Sequence, residues 1–164
     1  MQSDNITSLN LNITVDDGFK RVPINNTYGD EIGVFYFNPT DIGIIQRYNK
    51  MASTFDAITE PLEAVDKAEG LEGEELEAKQ LEALEQATER LYAAVNELFG
   101  GDFAGAFFGK VNPFSPVDGS FYCEQALSAV GQFISKQFDA ETEKFAKRVE
   151  KYTNRAQRRK ASKK

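Results

Sequence analysis

Histidine and tryptophan are absent from the 164 residues, and cysteine occurs once. Without imidazole the chain lacks the usual general base near neutral pH and the commonest metal ligand. Ser-His-Asp and Cys-His nucleophile systems are excluded within one chain, and a metal site would have to be built from carboxylates alone. The single cysteine, Cys123, has no partner for an internal disulfide, so a reducing cytoplasm is the expected setting. No apolar run approaches the roughly 18–20 residues that cross a bilayer, and no membrane association is expected. The opening residues Met1 to Asn5 lack the basic and apolar regions of a secretory signal. The Asn-x-Thr triplets at Asn5, Asn12 and Asn25 are therefore read as strand and turn residues. The glycines follow neither a P-loop nor a G-x-G-x-x-G spacing.

The residues present are enough for one core. The apolar fraction is 41% and thirteen residues are Phe, which suits one domain. Leu9, Leu11, Ile13 and Val15 alternate with polar residues, giving the period of a strand. Asp16-Asp17-Gly18 offers a turn, and Phe19 to Ile24 would return, with Pro23 placing that strand at an edge. A second turn over Asn25 to Asp30 leads to "EIGVFYF", a third strand. The fold class expected is α+β: a small N-terminal antiparallel β-meander over 1–38, a mainly helical part over 39–150 that completes one domain, and a long C-terminal helix ending in a basic tail over 151–164.

"FNPTD" marks the passage from strand to helix, with Asn38 as cap, Pro39 at the first helical position and Asp41 in the first turn. Ile42, Ile45, Tyr48, Ala52, Phe55 and Ile58 then define a helix face, which Pro61 kinks or ends. The next helix carries Leu81, Leu84, Thr88, Leu91, Val95 and Leu98 in a three-four repeat and stops at Gly100-Gly101. That seam reads first as intramolecular packing and second as a docking or dimer surface. The segment from Gly100 to Tyr122 is rich in Phe. Phe103, Phe107 and Phe108 read as plugs between helices, or as the lining of a partner groove. Asp118 or Ser120 caps the last helix, whose apolar positions Leu127, Val130, Ile134, Phe138, Phe145, Val149 and Tyr152 continue past the reach of a compact body. Its distal part is expected to project.

Charge is unevenly divided. The whole chain has net charge −7, yet Lys151 to Lys164 holds seven bases and no acid. Glu60 to Glu97 holds twelve acids and three bases. Cations at a helix C-terminus complement the macrodipole, which explains part of the basic end, including Arg155, Arg158 and Arg159. Docking to an acidic protein surface is the alternative. Nucleic acid is disfavoured, because no aromatic interleaves with the bases after Tyr152 and the acidic remainder repels phosphate. The acid pairs Asp16-Asp17, Asp30-Glu31 and Glu74-Glu75 lie in turns and helix starts where acids belong without catalysis. Cys123 reads as a buried structural thiol.

Several stretches together, "YFNPTDIGIIQRYNKM", "AAVNELFGGDFAGAFFGKVNP" and a long helix ending in "NRAQRRKASKK", resemble tail assembly chaperone proteins of long-tailed bacteriophages and prophages of Gram-positive hosts. The resemblance covers most of the chain loosely. It implies a non-enzymatic protein of the host cytoplasm, without catalytic residues or cofactors. Its partners would be the tape-measure protein, tail-tube subunits and further copies of itself. Contacts would fall on Leu84, Leu91, Val95, Leu98, Phe103, Phe107 and Phe108, with Arg155, Arg158 and Arg159 recruiting the second partner. The competing expectation is a small acidic phage-encoded inhibitor that binds a host protein, with the carboxylates of Glu60 to Glu97 mimicking nucleic-acid charge.

Overall fold

The computed structural model describes residues 12–162. Its elements run β1 (Lys20–Asn25), β2 (Glu31–Phe37), α1 (Gly43–Asp66), α2 (Gly73–Phe99), α3 (Phe103–Phe108), β3 (Pro116–Val117), β4 (Ser120–Phe121) and α4 (Tyr122–Ala161). This is an α+β fold, with an antiparallel hairpin leading into a mostly helical body and a long last helix.

The hairpin pairs Lys20 with Phe37 and Ile24 with Gly33. Asn26 builds its turn, since its Oδ1 accepts from the backbone N–H of both Tyr28 and Asp30 at 2.9 Å. Along β2, Phe35 and Phe37 are buried while Tyr36 between them is exposed, the alternation of a strand with one packed face. Among the described residues the expected N-terminal sheet is the two-stranded hairpin β1–β2. Leu9 and Leu11 lie outside the described residues, and 12–19 contains no strand. Asp16 and Asp17 instead take the N–H groups of Gly18 and Phe19 on their own carboxylates. Asn38 Nδ2 donates to the Asp17 carbonyl, which holds that corner beyond the end of β2.

Asn38-Pro39 is a turn rather than a helix start. Asn38 Oδ1 accepts from Thr40 N, Asp41 Oδ1 accepts from Gly43 N, and α1 begins at Gly43. The start is four residues later than expected at Pro39, and the inner face differs: Ile44, Met51 and Ile58 are buried, with Phe55 and Leu62 beside them, while Ile42, Ile45 and Tyr48 are exposed. α1 also runs unbroken through Pro61.

α2 packs antiparallel on α1 through Ala83, Ala87, Leu91, Val95 and Leu98, and together they form a two-helix arm. Gly100, with φ 67°, ends α2, a left-handed conformation that glycine adopts without steric cost. α3 follows at once, capped by Asp102 Oδ1 on Gly105 N. The rings of Phe35, Phe37, Phe99, Phe103, Phe107 and Phe133 form one connected cluster across β2, α2, α3 and α4, with centroid spacings from 4.2 Å (Phe103 and Phe107) to 6.1 Å (Phe35 and Phe107). Asp118 does not cap α4. It takes φ 52° beside Gly119 in the tight Asp-Gly turn between β3 and β4. The cap of α4 is Phe121, whose backbone N–H is taken by Glu124 Oε2.

α4 divides into two parts. Ala126 and Val130 are buried, and Leu127, Phe133, Ile134 and Phe138 are half-buried. From Asp139 onward every described side chain is exposed, including Phe145 at 68% and Val149 at 48%. Twenty-three residues to Ala161 rise about 35 Å at ~1.5 Å each. This stretch is held by pairs within the helix, Lys144 to Glu141 and Lys147 to Glu143.

Candidate functional site

The ten residues singled out for protein contact fall in three places. Leu91, Val95, Leu98, Phe103 and Phe108 lie inside the core; a partner that docks on the folded chain does not touch them. Leu84 and Phe107 are half-buried at its margin. Arg155, Arg158 and Arg159 are exposed on the projecting part of α4. The structure brings the first two groups together across the α2–α3 corner and leaves the arginines apart from both.

Phe107 opens onto an apolar groove of about 560 Å³. One wall is the hairpin turn with Ile24 and Ile32, the second is α3 and its exit with Phe107 and Val111, and the third is the start of α4 with Tyr122 and Ala129. A smaller hollow of about 230 Å³ continues along β1 toward Phe133 and shares Ile24, Phe107 and Ala129 with it. The trough exists because α4 turns alanines, Ala126 and Ala129, toward β1 where larger side chains would close it. Tyr122 fixes one end: its hydroxyl donates to the Phe107 carbonyl at 3.0 Å, and burial pushes its pKa up. The only signal in the sequence for these walls is the Ala126/Ala129 pair in an otherwise bulky helix face, and apolar periodicity does not read small residues as a feature.

The remaining candidates are structural. Both Asn-Pro pairs make the same turn: Asn38 and Asn112 accept from the backbone two residues on, at 2.9 Å each, and Pro39 and Pro113 are buried. Cys123 is buried, and burial, reinforced by the Glu124 carboxylate, pushes its thiol up to about 11. Asp41 is held below the ordinary carboxylate value by the Arg47 guanidinium, with Gly43 N–H second. Asp16 and Asp17 serve their turn, Asp30 accepts from Asn26 Nδ2, and Glu74 and Glu75 sit in the first turn of α2. Among the described residues no group of three or more carboxylates and thiols is placed to hold a metal ion, and no helix is long and apolar enough to cross a membrane. Comparison with protein-family models, with curated proteins and with solved structures finds no match to this chain.

Proposed function

We propose that the protein is a non-enzymatic tail assembly chaperone of a phage or prophage, acting in the host cytoplasm. It would hold the tape-measure protein, and engage tail-tube subunits, during tail morphogenesis. The observation that carries this reading is the open apolar trough between β1, α3 and α4. It is shaped to take the apolar stripe of a helix, on a body acidic enough to keep a sticky client dispersed. The sequence resemblance supplies the identity of the client. The contact surface is then the trough, with Phe107 at its centre, rather than the buried leucines of α2.

The test is co-expression with a long helical tape-measure segment. The client is expected to stay soluble and co-purify, and to go on doing so at about 0.5 M salt, where surface charge is screened beyond roughly 4 Å. Ala129→Glu and Val111→Asp place charge on two exposed walls and should abolish capture while circular dichroism stays unchanged. Undiminished capture by both folded variants would overturn this assignment.

A second reading has its own observation. Glu72, Glu74, Glu75, Glu77, Glu82, Glu85 and Glu89 are all exposed along one arm, as an inhibitor mimicking nucleic-acid charge would require. Binding of a host protein that collapses with added salt, and ignores Ala129→Glu, would favour it.

A further inference from the structure

The acidic arm and the basic half of α4 carry complementary charge. Glu60 to Glu97 carries twelve acids and three bases, net −9; Lys144 to Lys164 carries ten bases and one acid, net +9. On the arm, Glu72, Glu74 and Glu75 are exposed and make no ion pair among the described residues. On α4 the same is true of Lys151, Arg155, Arg158 and Arg159. α4 is continuous from Tyr122 to Ala161 and contains no proline, so its basic half leaves the body in a fixed direction and does not fold back. The lengths also agree. Gly73 to Glu97 spans about 37 Å, room enough for Lys144 to Ala161 at about 27 Å. Each surface has an apolar component as well: Leu81 on the arm and Phe145 on α4 are each 68% exposed, with half-buried Leu84 beside the first and Val149 one turn beyond the second.

The geometry points to a second copy of this chain as the occupant: the projecting half of α4 lies along the α1–α2 arm of a neighbour. With the two helices antiparallel, Phe145 and Val149 meet Leu84 and Leu81, and Arg155, Arg158 and Arg159, ten to fourteen residues further along, lie against Glu72, Glu74 and Glu75. The contact is head-to-tail, since donor and acceptor are different surfaces. The arm and the tail of each copy can both be engaged, so the assembly is an open chain, a ring or a reciprocally exchanged dimer. This inference does not depend on what the trough holds.

Sedimentation velocity of the full chain tests it. At low salt the weight-average sedimentation coefficient should rise with protein concentration, and about 0.5 M salt should weaken association by tenfold or more. Arg155→Glu/Arg158→Glu/Arg159→Glu and Glu72→Lys/Glu74→Lys/Glu75→Lys should each be monomeric. Mixed in equal amounts, the two should associate again, because the acidic tail of one fits the basic arm of the other. The substituted residues are all exposed, and circular dichroism of each variant checks folding. A wild-type chain that stays monomeric at low salt, association untouched by either triple change, or no recovery in the mixture would overturn the proposal. So would association that disappears on nuclease treatment, which would assign the tail to nucleic acid.

Discussion

Arg90 of α2 donates to the carbonyl of Ala57, the acceptor that Pro61, four residues on, leaves without a helical partner. Proline has no N–H, and in a helix interior the missing bond costs about 3 kcal/mol or more when nothing replaces it. Here the replacement comes from the antiparallel helix, and the same guanidinium pairs with Glu60 at 3.1 Å. The two residues should therefore be coupled. Arg90→Ala should lower stability by about 1–2 kcal/mol. In a Pro61→Ala background, where residue 61 can donate to Ala57 itself, the cost should fall to less than half. A double-mutant cycle in urea measures this, and equal costs in both backgrounds would refute the coupling.

Gly33 is required by a close approach rather than by a turn. A Cβ there would collide with the Ala106 carbonyl oxygen of α3, which packs across β2. Gly33→Ala should destabilise the chain by about 1–3 kcal/mol, the range for overpacking. Gly29→Ala in the hairpin turn, where a Cβ would meet no atom, carries only the strain of its φ of 91°. Thermal denaturation of the two variants separates steric from conformational cost.

Cys123 should be unreactive until the chain opens. Its thiol has an ordinary value of 9.0 and a folded value of about 11, so at pH 8 alkylation should be at least tenfold slower in the native protein than in denaturant. Between those two values the unfolded thiol ionises while the folded one does not. Stability should therefore decline across that window, and Cys123→Ala should lessen the decline.

Asp41 predicts the opposite limb. Its folded pKa lies below the ordinary 3.8, so its contribution is present above that value and is lost as pH falls through the folded one. Asp41→Asn should show a smaller loss of stability on acidification below about pH 4 than the parent, measured by urea midpoints.

Removing residues 141–164 should leave the core intact. Every described side chain in that range is exposed, so the melting temperature should move by no more than about 2 °C, while far-ultraviolet ellipticity falls by the share of the lost helix. A large drop in melting temperature would mean that the projecting half supports the body.

The parts legible in the sequence were those where periodicity and packing agree. Leu91, Val95 and Leu98 are where a three-four repeat places them, and the projection of the outer part of α4 follows from a helical pattern longer than a compact body can cover. The start of α1 was not legible. Asn38, Pro39 and Asp41 are good helix-start residues, but here they satisfy two successive turns, and the delay to Gly43 exchanges Ile45 and Tyr48 for Ile44 and Met51 inside. Pro61 was misleading for a reason no local window contains: its rescue lies at Arg90. The trough was invisible because small residues make it, and the aromatic cluster was legible as core only once strand and helix faces were paired.

The connected phenyl rings tie β2, the end of α2, α3 and the first half of α4 into one unit, since none can shift without breaking ring contacts to two others. Amide protons there should exchange together, at the rate of global opening. Those at the far end of the two-helix arm and in the outer half of α4 should exchange first, each on its own schedule. The molecule thus has a rigid hub with two extremities that can order or loosen without disturbing it, and the surfaces that carry its charge are on those extremities.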